Sequence, residues 1–555
     1  MSWLVATFVA FQACTLLIVN KLVPDDYMDE IFHGPQARDY CRGAFASWHP
    51  KITTFPGIYV LGTLYGWLRW AAQALFSPLQ VDAACTTTYL RSLNVLLSMV
   101  CLVVIKDIIV TYRKQWQAQI KAHVKGACAQ RVEAPAHHVS VHDTDSAAAA
   151  GAAWEPQSLH PGSSAPVDHI LHALLLALYP LHWFFSFLYY TDVASLLFLL
   201  LAQLQVAKRR HRLAALASSL AILCRQTNAV WAAFLLGQAA LAEAELEWAP
   251  ALRGAQQRQG DQRRIGNANR LLGKMQPKTS DSTAAAAGTK AAAAPAAELV
   301  TAARTEVGPI YELRVALTRL WRCRKTLAAK LWPLMLPPAG FAAFLVSNGG
   351  SVVLGDKEAH KAVRHGAQLL YFAGWTALML WPELLTNAMA SLRDTVRRRT
   401  LVSVVVAAVA AVAAAAAVGR MSTIVHPYML ADNRHYVFYL WRRLLGRGTN
   451  AKYILAPAYA AAWALLLAGL LRRVSVLWVA GFVACLVAQL LPAGLLELRY
   501  FTPGFFMVAL HLEPPTRLQA AVMVSMYGAI NLATMYMFLY RPFEFADGSV
   551  ARFIW

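Results

Sequence analysis

Runs of about 20 apolar residues, the length that crosses a bilayer as a helix, alternate along this chain with short stretches dense in charge. Segments 2–22, 92–111, 167–188, 193–207, 213–242, 326–347, 369–388, 400–419, 451–471, 474–492, 501–512 and 518–540 predict such helices, and 213–242 is long enough to hold two short ones. The small-residue run Ala407 to Ala417 continues Leu401–Val406 without a break, so it predicts a tightly packing membrane helix. With 58% hydrophobic and only 15% charged side chains and a mean hydropathy of +0.42, an ordinary soluble domain is excluded. The fold class is all-α, a polytopic integral membrane protein.

Charge sets the orientation. Lys106, Arg113, Lys114, Lys121, Lys125 and Arg131 place the segment after the second helix in the cytosol, and Lys208–Arg212 and Arg397–Arg399 repeat the pattern. Loop 24–90 then faces the lumenal side, as its acids Asp25, Asp26, Asp29, Glu30 and Asp39 suit. Its stretch 58–76 is apolar enough to cross, but a crossing there would invert the next loop. A re-entrant or surface-lying amphipathic helix is expected instead. Met1–Val23 lacks a basic stretch ahead of it and a cleavage site, so it is expected to be a retained first helix.

The net charge of +21 lies in these short juxtamembrane runs, with no nucleic-acid-reading motif beside it, so no nucleic-acid partner is expected. Segments 126–165 and 243–305, rich in Ala and polar residues, read as disordered cytosolic linkers. They divide the chain into 1–125 with the first lumenal loop, central helices 166–242, and C-terminal helices 306–555 with lumenal loops near 347–368 and 420–445. Among eight scattered cysteines no pair has metal-ligand spacing, and an oxidising lumen would allow Cys41 and Cys85 to be joined. Asp143-Thr144-Asp145 has the DxD form of a metal and nucleotide-sugar site but lies in a linker. His137, His138 and His142 lack a fold to fix them, and no metal site is expected.

Against this apolar background the polar clusters are conspicuous, because charge at membrane depth is costly. His426 through Tyr436 supplies Arg434 and His435 as donors to phosphate, Asp432 as their orienter, and Tyr428 and Tyr436 as platforms. Tyr27 through His33 carries Asp29 and Glu30, whose directions on a helix differ by about 100°. One of the two would face a site as general base for a sugar hydroxyl; the alternative is an acidic loop that caps a helix. Phe184 through Asp192 is an aromatic belt with Tyr190 that ends in an acid, and the residues by themselves favour an interfacial tyrosine anchor with Asp192 as N-cap of the following helix over a site role. Cys224-Arg225-Gln226-Thr227-Asn228 interrupts an apolar run, so Arg225 needs an internal acid or a ligand phosphate. Ser347 to Ser351 is a glycine-rich loop able to present N–H groups to an anion, or merely a turn. Glu497 and Arg499, beside Tyr500, are spaced for an ion pair.

Taken in order, "YMDEIFHGPQARDYC", "WHPKITTFPGIY", "FLYYTD", "CRQTNAVW", "VSNGGSVVLGDKEAH", "HPYMLADNRHYVFYLWRR" and "LLELRYF" resemble the endoplasmic-reticulum dolichyl-phosphate-glucose-dependent alpha-1,2-glucosyltransferases. That family adds the terminal glucose to the lipid-linked oligosaccharide. The likeness covers the membrane region but not the two linkers. It implies GT-C architecture, a multi-pass endoplasmic-reticulum location and a lumenal active site. Its donor is dolichyl phosphate glucose, its acceptor a dolichyl-diphosphate oligosaccharide, and its surroundings membrane lipid; a monomer without cofactor is expected. Analogy makes Asp29 the leading base and Glu30 the second. A beta-linked donor and an alpha product imply inversion in a single displacement. Departing dolichyl phosphate calls for cations more than for an acid, with Arg225, Gln226, Arg434, His435 and Arg499 as donor-phosphate candidates. His33, Tyr190, Asp192, Asn228, Asp432, Tyr436 and Tyr500 are the acceptor or orienting candidates. A transferase of another hexose, and a transporter or channel accessory subunit, are the alternatives; the second predicts internal repeats, and none is visible.

Overall fold

The computed structural model of the chain describes residues 2–74, 85–132, 166–247, 309–358, 360–398, 401–421, 423–425, 432–447 and 451–555. Apart from a short antiparallel pair, Phe543–Glu544 with Val550–Ala551, their regular structure is helical. Among the described residues five helices are long and apolar enough to cross a membrane: Trp3–Leu22, Thr87–Gln119, Asn228–Glu247, Arg324–Ser347 and Arg517–Tyr540. Thr191–Ala207, His211–Cys224, Val405–Arg420, Ala456–Leu471 and Val476–Leu490 are apolar but shorter.

Several predicted spans are broken, each for a local reason. Segment 167–188 divides into His169–Ala177 and Pro180–Phe185, because Pro180 has no N–H to continue the ladder and takes the first helical position of a new helix. Segment 213–242 divides at Arg225–Thr227 into His211–Cys224 and Asn228–Glu247. Arg225 has extended backbone there, φ −154° and ψ 115°. The helix Thr87–Val132 runs past residue 126, and Asn228–Glu247 past residue 243, so both enter segments read from the sequence as linkers. The DxD motif, the three linker histidines and the remainder of both linkers lie outside the described residues.

The chain divides into two compact units. One comprises 116–163 and 238–331, where Lys330 pairs with Glu247 at 2.6 Å and Glu243 at 3.3 Å. The other comprises 1–115, 164–237 and 332–555 and contains every candidate site residue that is described. Within it Thr191–Ala207 packs along His211–Cys224, and Ala367–Arg398 along Ala456–Leu471. Glu30–Cys41 packs on Gly57–Ala74. A core of Tyr40, Ile52, Tyr59, Leu93, Tyr189 and Cys224 ties the first loop to the helix bundle. Asp26 fixes the loop further, accepting from Arg38 at 2.7 Å and Thr87 at 2.5 Å. A Cβ on Gly34 would lie 2.5 Å from that carboxylate, which explains the glycine inside a helix.

Cys41 and Cys85 are joined, with Cα atoms 6.6 Å apart. The bridge closes a sequence separation of 44 residues. Replacing both cysteines by serine is expected to cost about 2–4 kcal/mol, seen as a lowered midpoint of thermal unfolding that reductant reproduces in the unaltered protein.

The glycine-rich loop after Arg324–Ser347 is a helix ending, not an anion cradle. Gly349 and Gly350 have φ of +68° and +81°, and their N–H groups return to Val346 and Leu345 carbonyls. Further on, Leu354, Gly355 and Asp356 donate their N–H groups to the carbonyls of Thr53, Ile52 and Pro50, docking this loop on the first one.

Candidate active site

The two acids of the first loop have opposite surroundings. Glu30 is fully buried. Its Oε1 accepts from Arg91 Nε at 2.9 Å and from the Tyr189 N–H at 2.6 Å; its Oε2 accepts from Arg91 Nη2 at 2.5 Å and from the Tyr27 N–H at 3.1 Å. Arg91 spends its remaining donors on Val23 O, Asp25 O and Asn20 Oδ1. A buried charge must be paired and hydrogen-bonded, and this pair is saturated on both sides. Glu30 is thus the anchor of the turn, with no face open to a ligand.

Asp29 stands at the start of the helix Glu30–Cys41, after Met28 in the left-handed region at φ +55°. That conformation is uncommon for a non-glycine residue, and such backbone strain collects where a site dictates direction. The Asp29 N–H donates to Tyr190 Oη at 3.1 Å, and its Oδ2 accepts from Arg499 Nη1 at 2.9 Å. Its side chain is 35% exposed, and Oδ1 makes no hydrogen bond among the described residues. Burial pushes its pKa up, but Arg499 pulls harder and holds it below the ordinary carboxylate range.

Arg499 is the hub. Besides Asp29 it holds Glu497 through Nε and lies 3.7 Å from Asp192 Oδ2. Asp192 Oδ1 in turn accepts from Arg225 Nη1. Two rings flank the hub, Tyr190 at 5.4 Å and Phe185 at 5.8 Å from its guanidinium carbon, while Tyr500 lies 5.3 Å from that of Arg225. Arg499 Nη2 and Arg225 Nε and Nη2 make no hydrogen bond among the described residues, so both guanidinium groups keep donors to spend on an anion. His33 Nδ1 shares a proton with Tyr59 Oη at 2.6 Å, and burial lowers its pKa to about 4, leaving it neutral at pH 7.

The second cluster reaches this network. Arg434 grips Asp432 with Nε at 2.8 Å and Nη2 at 2.7 Å, and interacts with Tyr27 beside Asp29. His435 has Nε2 3.3 Å from Asp432 Oδ2 and Nδ1 2.9 Å from Trp555 O. Burial would lower its pKa, but Asp432 at one nitrogen and the Trp555 carbonyl at the other carry it above the usual histidine value. His435 and Glu497 are close enough to act on one another's charge. His426 and Tyr428 lie outside the described residues.

Three predicted residues stand apart. Gln226 donates to Thr53 O at 2.8 Å, and Asn228 to Ser195 Oγ at 2.7 Å and Ala221 O at 2.8 Å; both are buried and close the break in the helix. Tyr436 bonds Thr534 and packs between Phe553 and Trp555. Sequence reasoning missed Arg91, which adjoins a predicted span and is the cation that pairs with Glu30. It also missed the C-terminal strap: Tyr27 Oη donates to Arg552 O at 2.7 Å and accepts from the Arg552 N–H at 2.6 Å, while the Ile554 N–H donates to Arg434 O at 2.9 Å. No pattern in Arg552–Trp555 signals this role.

The sequence profile of the DIE2/ALG10 family matches residues 23–510, a stretch that includes Asp29, Asp192, Arg225, Asp432 and Arg499. The chain belongs to the DIE2/ALG10 family. An Arabidopsis thaliana relative is 32% identical over 548 residues, covering 97% of this chain and 96% of its own length. A Rattus norvegicus relative is 31% identical, covering 99% and 98%, and a Homo sapiens relative 27% identical with the same coverage. Each of the three is named Dol-P-Glc:Glc(2)Man(9)GlcNAc(2)-PP-Dol alpha-1,2-glucosyltransferase. No solved structure matches the chain.

Proposed function

We infer that this DIE2/ALG10 family member is a glucosyltransferase that moves glucose from dolichyl phosphate glucose, in alpha-1,2 linkage, onto the diglucosylated dolichyl-diphosphate oligosaccharide. The carrying observation is the contrast between the two acids. Asp29 has its pKa held low, is partly exposed and has an Oδ1 that makes no hydrogen bond among the described residues, whereas Glu30 is buried and bonded at both oxygens. Asp29 is therefore the base. It takes the proton from the acceptor's 2-hydroxyl as that oxygen attacks the glucose anomeric carbon, the bond from carbon to phosphate oxygen breaks, and dolichyl phosphate leaves with the electron pair. Displacement from one side inverts the anomeric centre, and no covalent glucosyl-enzyme forms.

The spare N–H groups of Arg499 and Arg225 are suited to the departing phosphate, which gains charge as the bond breaks. Asp192 binds both guanidinium groups and keeps them apart at one spacing. Tyr190 holds the Asp29 backbone. Asp432 favours the protonated form of His435, whose charge acts near Glu497. A GT-C arrangement, with the base in the loop after the first span and facing the endoplasmic-reticulum lumen, suits this assignment, as does the Cys41–Cys85 bridge in that loop.

The decisive assay gives the purified protein dolichyl phosphate glucose and the diglucosylated lipid-linked acceptor. A triglucosylated product bearing a new alpha-1,2 linkage is expected; product formation only with another sugar donor would refute the reading. A pH profile tests His435. Its pKa is raised, so its charge persists above the ordinary histidine range and is lost as pH climbs through the raised value. Asp432→Asn removes the cause of the rise, and the alkaline fall in transfer rate is expected to move to lower pH. An unshifted alkaline limb would mean that the His435 charge takes no part.

A further inference from the structure

Three buried polar side chains outside the reacting cluster, His365, Gln368 and Gln489, all turn toward one short stretch of backbone, and that stretch leads into Arg499. Between Val476–Leu490 and the 3₁₀ turn Leu498–Phe501, residues 491–497 form neither helix nor strand, so their carbonyls have no ladder to accept from. Beside apolar helices such carbonyls must find donors within the protein.

The donors come from two helices. Gln368, in the first turn of Ala367–Arg398, donates through Nε2 to Leu495 O at 2.9 Å and Ala493 O at 3.3 Å. Just ahead of that helix, His365 donates through its N–H to Leu491 O at 2.8 Å and through Nδ1 to Ala493 O at 3.2 Å, and the Val363 N–H donates to Pro492 O at 3.1 Å. Gln489, in the last turn of Val476–Leu490, donates through Nε2 to Tyr500 O at 2.9 Å, and its own Oε1 accepts from Trp231 Nε1 at 2.8 Å. Phe501 completes the seating: it is buried, with its ring 5.8 Å from that of Phe372, one turn beyond Gln368. Gln368 Oε1 and His365 Nε2 are buried and accept no hydrogen bond among the described residues, an unfavourable state for an acceptor. What these side chains supply is donors to that backbone.

The far end of the stretch is the hub of the site. Tyr500, whose carbonyl Gln489 holds, directly follows Arg499, and Arg499 Nη1 lies 2.9 Å from Asp29 Oδ2. We propose that Gln368 and Gln489, with His365 beside them, are positioning residues for glucose transfer: by gripping the backbone from 491 to 500 they set where the Arg499 guanidinium stands between Asp29 and the departing phosphate. The inference rests on the transfer reading given above. All three act through backbone that leads to Arg499, and a displacement of about 1 Å in a reacting constellation can cost about 10²-fold in rate.

The test is a double-mutant cycle on the purified full-length protein in detergent, with dolichyl phosphate glucose as donor. Gln489→Met and Gln368→Met keep a similar volume and lose the N–H donors. Each is expected to lower turnover per folded molecule by about 10–100-fold, to weaken inhibition by added dolichyl phosphate, and to leave the KM for the acceptor unchanged. In an Arg499→Lys background the same substitutions should add little further loss, because the group they aim is already altered. A purely structural role would lower the thermal midpoint and leave turnover per folded molecule where it was. If one variant does not fold, the other decides. Undiminished turnover in the folded variants, losses that multiply with that of Arg499→Lys, or failure of both variants to fold overturns the proposal. Absence of transfer by the unaltered protein would instead overturn the transfer reading, and this inference with it.

Discussion

Asp29→Asn is expected to lower the turnover of glucose transfer by about 10²–10⁴-fold, the usual worth of a positioned general base. The substitution preserves shape and leaves Arg499 with Glu497 and Asp192, so the network keeps counter-charge and the protein should fold and insert normally. Asparagine cannot take a proton from the acceptor hydroxyl, which puts the loss in turnover and not in binding. The check is turnover per folded molecule, with the Cys41–Cys85 bridge verified by mass spectrometry. Near-normal transfer by this variant, with loss in Glu30→Gln at undiminished folded yield, would reverse the roles of the two acids.

The largest stability effect should follow Arg91→Ala. It leaves the Glu30 carboxyl fully buried without the cation that pairs with it, at a cost of about 3–5 kcal/mol. Against the 5–15 kcal/mol by which a typical domain is stable, that removes much of the margin, so little folded protein should be recovered. Glu30→Ala fails for the complementary reason and also frees the N–H groups of Tyr27 and Tyr189. Replacing the pair together, Glu30→Leu with Arg91→Met, leaves no orphan charge and should restore part of the yield measured by size-exclusion chromatography after detergent extraction. Full recovery of folded protein by Arg91→Ala alone would show that the pair is dispensable.

The helical, membrane-crossing character was legible because apolar runs of bilayer length have one economical solution. Where spans break was less so, since Pro180 and Arg225 sit inside runs whose average hydropathy hides them. Candidate chemistry was found by asking which polar groups are expensive in an apolar setting, and this brought out Asp29, Asp192, Arg225, Asp432, Arg434, His435 and Arg499. The same question caught Gln226 and Asn228, whose polarity satisfies backbone and side-chain partners where a helix opens. Sorting Asp29 from Glu30 needed a partner 61 residues away, and no local spacing encodes that distance. The strap was illegible for a similar reason: backbone atoms of Arg552, Ile554 and Trp555 make its contacts, and a backbone carbonyl leaves no mark in a sequence.

That strap orders events during biosynthesis. Tyr27 emerges from the ribosome 525 residues ahead of the arginine whose backbone clasps its hydroxyl, an interval of roughly half a minute to two minutes at ordinary elongation rates. Until then the turn carrying Asp29 lacks this clasp, and the segment bearing His435, once made, waits for its contacts with Ile554 and Trp555. The clasp on Tyr27 and the contact to Arg434 are thus among the last tertiary contacts of this unit that synthesis allows to form.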